Sequence, residues 1–132
     1  MYEDLTGCVG IKENKQGKEY VKNADLYKAL IESKEKGKPT DDFTKMVILM
    51  ATKISTRLPY LDEEDRNDCI EYAIMDGITY YNRFNETKGT NAFAYMTSIL
   101  LNGFAKGWRK LGKHEFPNSI MSRLDSGKIH SI

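Results

Sequence analysis

Phe84–Lys113 reads FNETKGTNAFAYMTSILLNGFAKGWRKLGK, a proline-free run with a helical apolar rhythm. Phe93, Met96, Leu100, Phe104 and Leu111 fall close to one stripe, while Tyr95, Asn102, Lys106, Arg109 and Lys113 lie mostly off it. Asn91 has a side chain able to accept a first-turn N–H, and Gly112 offers a left-handed stop, so the spacing predicts one long helix between them.

Moving upstream, the same logic predicts three more helices. The first has Asn23 as its cap, carries Leu26, Tyr27, Leu30 and Ile31, and stops after Lys36 at Gly37 and Pro39. The second starts at Thr40 or Asp41 and steps through Phe43, Met46, Val47, Met50, Ile54 and Leu58 before Pro59. The third is capped by Asp62, turns Ile70, Ala73, Ile74, Gly77, Ile78 and Tyr81 inward, and ends around Arg83 with an acidic opposite face. Residues 1–22 contain Gly7, Gly10 and Gly17 with little periodicity beyond a weak strand signal near Cys8–Ile11, and read as an N-terminal arm. Residues 114–132 read as a tail with one apolar cluster, Ile120, Met121 and Leu124. The expected architecture is all-α, a compact bundle of about four helices over residues 23–113 with extended terminal segments.

At 132 residues, 40% hydrophobic and 30% charged, the chain has the size and composition of one globular domain. Its formal charge of +1 conceals a division. Between Leu61 and Asp76 the acids Asp62, Glu63, Glu64, Asp65, Asp68, Glu71 and Asp76 face Arg66 alone; from Asn85 to His114, Glu86 is the sole acid against Lys88, Lys106, Arg109, Lys110 and Lys113. Opposite charges on successive helices suit a protein that joins a basic partner to a polyanion. Cys8 and Cys69 lie in unlike contexts, so no disulfide is expected. With no signal-peptide pattern and no apolar run near the ~20 residues of a membrane span, a reducing cytoplasm is the expected setting.

Catalysis is not expected. His114 and His130 sit in or beside the tail, the cysteines are far apart, and no Gly-rich phosphate loop occurs, so neither a metal site, a cofactor site nor an activated nucleophile is recognisable. The acids at 62–65 lack calcium-loop spacing and read as a helix N-terminus, where carboxylates favour the dipole. Two faces carry more information. Tyr72 and Met75 interrupt Asp68 and Glu71 at helical spacing, which resembles a docking surface for a basic helix more than a plain solvated face. Tyr95, Ser98, Asn102 and Lys106 form a row with a stacking plane, hydrogen-bonding groups and a cation, the mixture that holds unpaired bases. Phe93, Met96, Leu100 and Phe104 read as core, and Trp108 as partly buried.

The order of acidic helix, phenylalanine, short basic loop and aromatic helix, DCIEYAIMDGITYYNRF followed by NETKGTNAFAYMTSILLNGFAK, resembles the second conserved region of bacterial sigma factors. Phe84 and Tyr95 stand eleven positions apart, as the corresponding aromatics of the housekeeping family do. More closely, Glu19–Lys113 is similar to the late-transcription sigma factors of T-even-type tailed phages, sharing a tyrosine-valine opening before an asparagine and an FxETKxxNxxAYxT segment.

The resemblance implies a sigma-70-type subunit, acting in the cytoplasm of an infected bacterial host, that binds the host RNA polymerase core and directs recognition and melting of the minus-ten element of late promoters. Asp68, Glu71, Tyr72, Met75 and Ile78 correspond to the helix that docks on the β′ coiled coil. Phe84, Lys88, Tyr95, Ser98 and Asn102 correspond to positions around the pocket for a flipped adenine of the non-template strand, with Asn91 grouped beside them as DNA-binding. Lys106, Arg109 and Lys110 would follow the phosphate backbone. Ser98 and Ile99 replace the paired tryptophans of housekeeping members, so unaided melting should be weak and a phage coactivator is expected. No second helix-turn-helix domain is recognisable. The tail lacks the acidic, aromatic-rich clamp-binding segment of phage late sigma factors, leaving Ile120, Met121 and Leu124 to replace it; the sliding clamp is a secondary candidate partner. The alternative reading is a helical polymerase-binding adaptor or anti-sigma-like regulator that makes no base contacts.

Overall fold

The computed structural model describes residues 11–57, 62–89 and 91–111. Four helices account for most of them: α1 (Asn23–Lys36), α2 (Asp41–Ser55), α3 (Glu63–Tyr80) and α4 (Ala92–Lys110). The chain is thus a compact helical bundle, as the periodicity predicts, with a two-stranded sheet at its start. The readings placed on residues 1–10, Leu58–Leu61, Gly112 and the tail lie outside the described residues.

Three of the four helix starts follow their local chemistry. Thr40 Oγ1 accepts from the Phe43 N–H (3.1 Å), Asp62 Oδ1 from Asp65 (2.8 Å) and Asn91 Oδ1 from Ala94 (3.0 Å), each satisfying an otherwise orphaned first-turn donor. Glu63, Glu64 and Asp65 occupy the positive end of α3. Gly37 closes α1 in the left-handed region at φ 75°, its N–H donating to the Lys34 carbonyl.

The Asn23 cap is a correction. Lys22 holds the cap position of α1 without a side-chain bond, and Asn23 Oδ1 instead accepts from the Phe93 N–H at 2.9 Å. Asn23 and Asn91 thereby serve adjacent donors at the start of α4, joining two helices 70 residues apart in sequence.

The arm reading is also corrected for its described part. β1 (Ile11–Glu13) pairs antiparallel with β2 (Glu19–Val21), in the register Ile11↔Val21. Asn14 shapes the turn: its side chain accepts from Gln16 and Lys18, and Gly17 follows at φ 78°. Val21 is buried and the partly buried Ile11 packs with it against the core, so the hairpin is docked on the bundle.

The core is centred on Phe43, Met46, Met50, Leu26, Leu30, Met96, Leu100 and Phe104, all essentially inaccessible. α4 is enclosed on more sides than one stripe implies, because Ile99, Leu101, Ala105 and Trp108 are buried as well; Trp108 goes further inside than the expected partial burial. On α3, Ile70, Ala73, Gly77 and the following Tyr81 face inward, whereas Ile74 and Ile78 stop half-buried at the edge.

Small residues bring α3 and α4 together. Cys69, Ala73 and Gly77 recur every four residues on α3: Ala73 meets Gly103 and Cys69 meets Gly107 on α4, while Gly77 faces Leu100 and Met96 of α4 and Val47 of α2. A methyl group at Gly103 would lie 2.4 Å from the Ala73 Cα and 2.7 Å from the Tyr72 carbonyl oxygen, so only glycine fits. Cys69 is fully enclosed in this contact, and burial, reinforced by Asp65 and Asp68, pushes its thiol up to about 11. In a Cys8→Ser chain, alkylation at pH 8 is expected to be slowed roughly 100-fold in the native state relative to the same thiol in denaturant, since two pKa units remove that much thiolate. Equal rates would mean that α3 and α4 do not close over the sulfur.

Candidate docking and nucleic-acid grooves

Two grooves border the α3–α4 pair. The first, of about 530 Å³, is lined by Asp68, Glu71, Tyr72 and Met75 from α3 and by Gly107, Lys110 and Leu111 at the end of α4. Tyr72 is 36% and Met75 67% exposed; among the described residues they are the exposed large hydrophobics. Gly107 packs closely against Cys69 and Tyr72 beside it, and the apolar surface of Tyr72, Met75 and Leu111 is accompanied by two carboxylates. Four of the five residues assigned to polymerase docking therefore converge. Ile78 does not line this groove and packs half-buried against the core.

The second groove, of about 430 Å³, gathers Tyr95, Asn102, Lys106 and Arg109 from α4 with Asp76, Tyr80 and Arg83 from α3 and the turn after it. Tyr95 is held from two sides. Its hydroxyl donates to the Tyr80 carbonyl at 2.9 Å, and its ring meets Phe84 at 5.2 Å and an angle of 54°. Burial raises the Tyr95 pKa, with the Arg83 charge acting in the opposite direction. Phe84 is itself only 6% exposed and also packs edge-on against Tyr27, so it is the wall behind Tyr95 and not an open contact surface.

Phe84 is fixed in turn by α1. Lys34 Nζ donates to the Phe84 carbonyl at 2.8 Å and to Glu86 Oε2 at 2.7 Å. The Lys34 hydrogen bond is the largest cause holding the Glu86 carboxyl below its ordinary range.

The cations are distributed differently from the sequence expectation. Lys110 lines the acidic groove with Asp68 and Glu71, while Arg109 lines the aromatic one: one residue's step rotates a helical side chain by about 100°, enough to cross the ridge between them. Lys106 Nζ is bound by both oxygens of Asp76, at 3.1 and 3.0 Å, and this carboxylate raises its pKa. Asp76 belongs by sequence to the acidic run of α3, but it is 7% exposed and lines the aromatic groove. Lys88, Asn91 and Ser98 line neither groove: Lys88 is exposed in a short 3-10 turn, Asn91 caps α4, and Ser98 is exposed on α4.

Tyr80 and Arg83 escaped the sequence reading. Arg83 lies 4.6 Å and Lys106 Nζ 5.5 Å from the Tyr80 ring centroid, a cation–π cluster at the groove edge. Their three-residue spacing was a usable signal, obscured by the expectation that Arg83 merely ends a helix. No group of three or more metal-binding side chains occurs among the described residues, and no described helix is long and apolar enough to cross a membrane. Comparison with protein-family models, curated proteins and solved structures returns no match.

Proposed function

We propose that this chain is a sigma-type subunit of a phage, working in the cytoplasm of the infected bacterium and directing the host RNA polymerase core to late promoters. The acidic groove holds the coiled coil of β′ and the aromatic groove holds an unpaired base of the non-template strand at the minus-ten element. The observation that carries the reading is the separation of the two grooves: Asp68, Glu71, Tyr72 and Met75 open on one, and Tyr95, Asn102 and Arg109 on the other. One protein can then grip a basic helix and a nucleotide at once without the two competing for surface. The chemistry of each groove agrees with its assignment, since exposed Tyr and Met between carboxylates complement a basic amphipathic helix, and aromatic, amide and guanidinium groups complement a stacked base and its phosphates.

The test is transcription by purified polymerase core on an AT-rich late promoter, with and without the chain and with phage coactivator added in a separate arm. Promoter-specific transcripts are expected only when the chain is present. An adaptor that never touches bases would bind the core and yield none. Reversing Asp68 and Glu71 to lysine is expected to weaken core binding by tenfold or more, on the order of 1.4 kcal/mol or above, in a pull-down, while the thermal midpoint changes little because both side chains are exposed. Undiminished capture of the core would remove the docking assignment.

A further inference from the structure

The aromatic groove contains three cations, Arg83, Lys106 and Arg109, and one acid, Asp76. The acid is the anomaly. A groove built to hold a polyanion gains nothing from a carboxylate in its wall, and this one is 7% exposed, so water screens it poorly. Both of its oxygens lie within hydrogen-bonding distance of Lys106 Nζ. The Lys106 charge is therefore already answered from within the protein. Arg83 stands differently: its guanidinium lies over the Tyr80 ring, which orients it without neutralising it.

We infer that Asp76 is a built-in counter-ion that masks Lys106, and that Arg83, together with Arg109, supplies the phosphate-binding charge of the groove. The inference rests on the reading that this groove holds a single strand. It adds a binding residue outside the aromatic helix and a device that limits affinity. A sigma-type subunit has to release its promoter, and a masked cation keeps the grip on the strand moderate.

Backbone binding releases counterions, with a salt slope of about 0.7 per phosphate neutralised on a single strand. Unmasking Lys106 should steepen the slope by about 0.7, roughly an eightfold gain in affinity at about 50 mM salt if the contribution vanishes near 1 M. The experiment measures binding of the full chain to a fluorescein-labelled single-stranded oligonucleotide by anisotropy across a salt series. Asp76→Asn keeps the side-chain shape and is expected to bind about eightfold more tightly at low salt. Asp76→Ala is expected to change affinity in the same direction. Arg83→Gln is expected to lose about as much as Asp76→Asn gains, with a slope shallower by about 0.7. Thermal unfolding of each variant reports that it is folded.

If Asp76→Asn and Asp76→Ala both fold and bind with wild-type affinity and slope, the counter-ion role is overturned while strand binding stands. If Arg83→Gln leaves the slope intact, the Arg83 assignment is overturned. If neither wild type nor Asp76→Asn binds the strand at low salt, both the inference and the single-strand reading fall.

Discussion

Alanine at Gly103 is expected to destabilise the chain by about 3 kcal/mol, at the upper end for overpacking, lowering the thermal midpoint by roughly 10 °C or more. The direction is opposite to the usual one, since Gly→Ala inside a helix ordinarily gains about 0.5–1 kcal/mol. Here the added methyl meets backbone, at 2.4 Å from the Ala73 Cα and 2.9 Å from the Ala73 nitrogen, and backbone cannot swing aside. α3 and α4 must separate, which loosens the contact on which both grooves depend. Gly107→Ala is expected to cost at least about 1 kcal/mol less, because its Cβ would meet Cys69 at 3.0 Å and the propensity gain offsets part of the crowding. Circular dichroism melts of the two variants read the difference. A Gly103→Ala chain as stable as the parent would mean that the two helices are not packed at this distance.

Tyr95→Ala is the second large effect. On the proposed function the ring is the stacking platform, and a stacked base contributes on the order of 1–3 kcal/mol, so promoter opening should fall about tenfold or more in a permanganate footprint. Capture of the polymerase core should be unaffected, since Tyr95 lies in the other groove. Tyr95→Phe separates the platform from its tether. It retains the ring against Phe84 and loses the hydroxyl's bond to the Tyr80 carbonyl, so it should keep most of the opening activity. Full opening by Tyr95→Ala would take the residue out of base capture.

The two predictions concern different levels of one arrangement. Gly103 sets how near α4 lies to α3, and that distance determines which side chains stand on the rims. The acidic groove needs Tyr72 and Met75 beside Lys110 and Leu111, and the aromatic groove needs Tyr80 and Arg83 beside Lys106 and Arg109. Loss of the approach should therefore disturb both proposed binding activities, whereas Tyr95 and the Asp68/Glu71 pair should each disturb one.

Much of the fold was legible because it rests on short-range chemistry. Thr40, Asp62 and Asn91 cap the helices that follow them because a side-chain oxygen needs to reach an amide only three residues on. Asn23 has the same chemistry and a distant partner, and no local rule distinguishes its own helix from the Phe93 N–H. The hairpin was missed because strands of three residues are too short to display alternation. Lys34 stands in the last turn of α1 and holds the Phe84 carbonyl and Glu86 about fifty residues away, a contact that no local pattern signals.

The same division runs through the candidate sites. Spacing along α3 and α4, with the sigma-factor resemblance, was enough to group Asp68, Glu71, Tyr72 and Met75, and to group Tyr95 with Asn102. It was not enough for Asp76, which belongs by composition to the acidic face and by position to the cationic groove, nor for Lys110, which belongs by composition to the basic helix and by position to the acidic groove. By itself the amino-acid order determined the four helices, the caps of α2, α3 and α4, and the main apolar stripe of each, because these depend on neighbours within about one turn. Tertiary structure alone decided which edge of each helix stays open and which charges meet across it, because a helix's rotation and depth are set by partners on both sides, above all by the contact of Gly103 with Ala73.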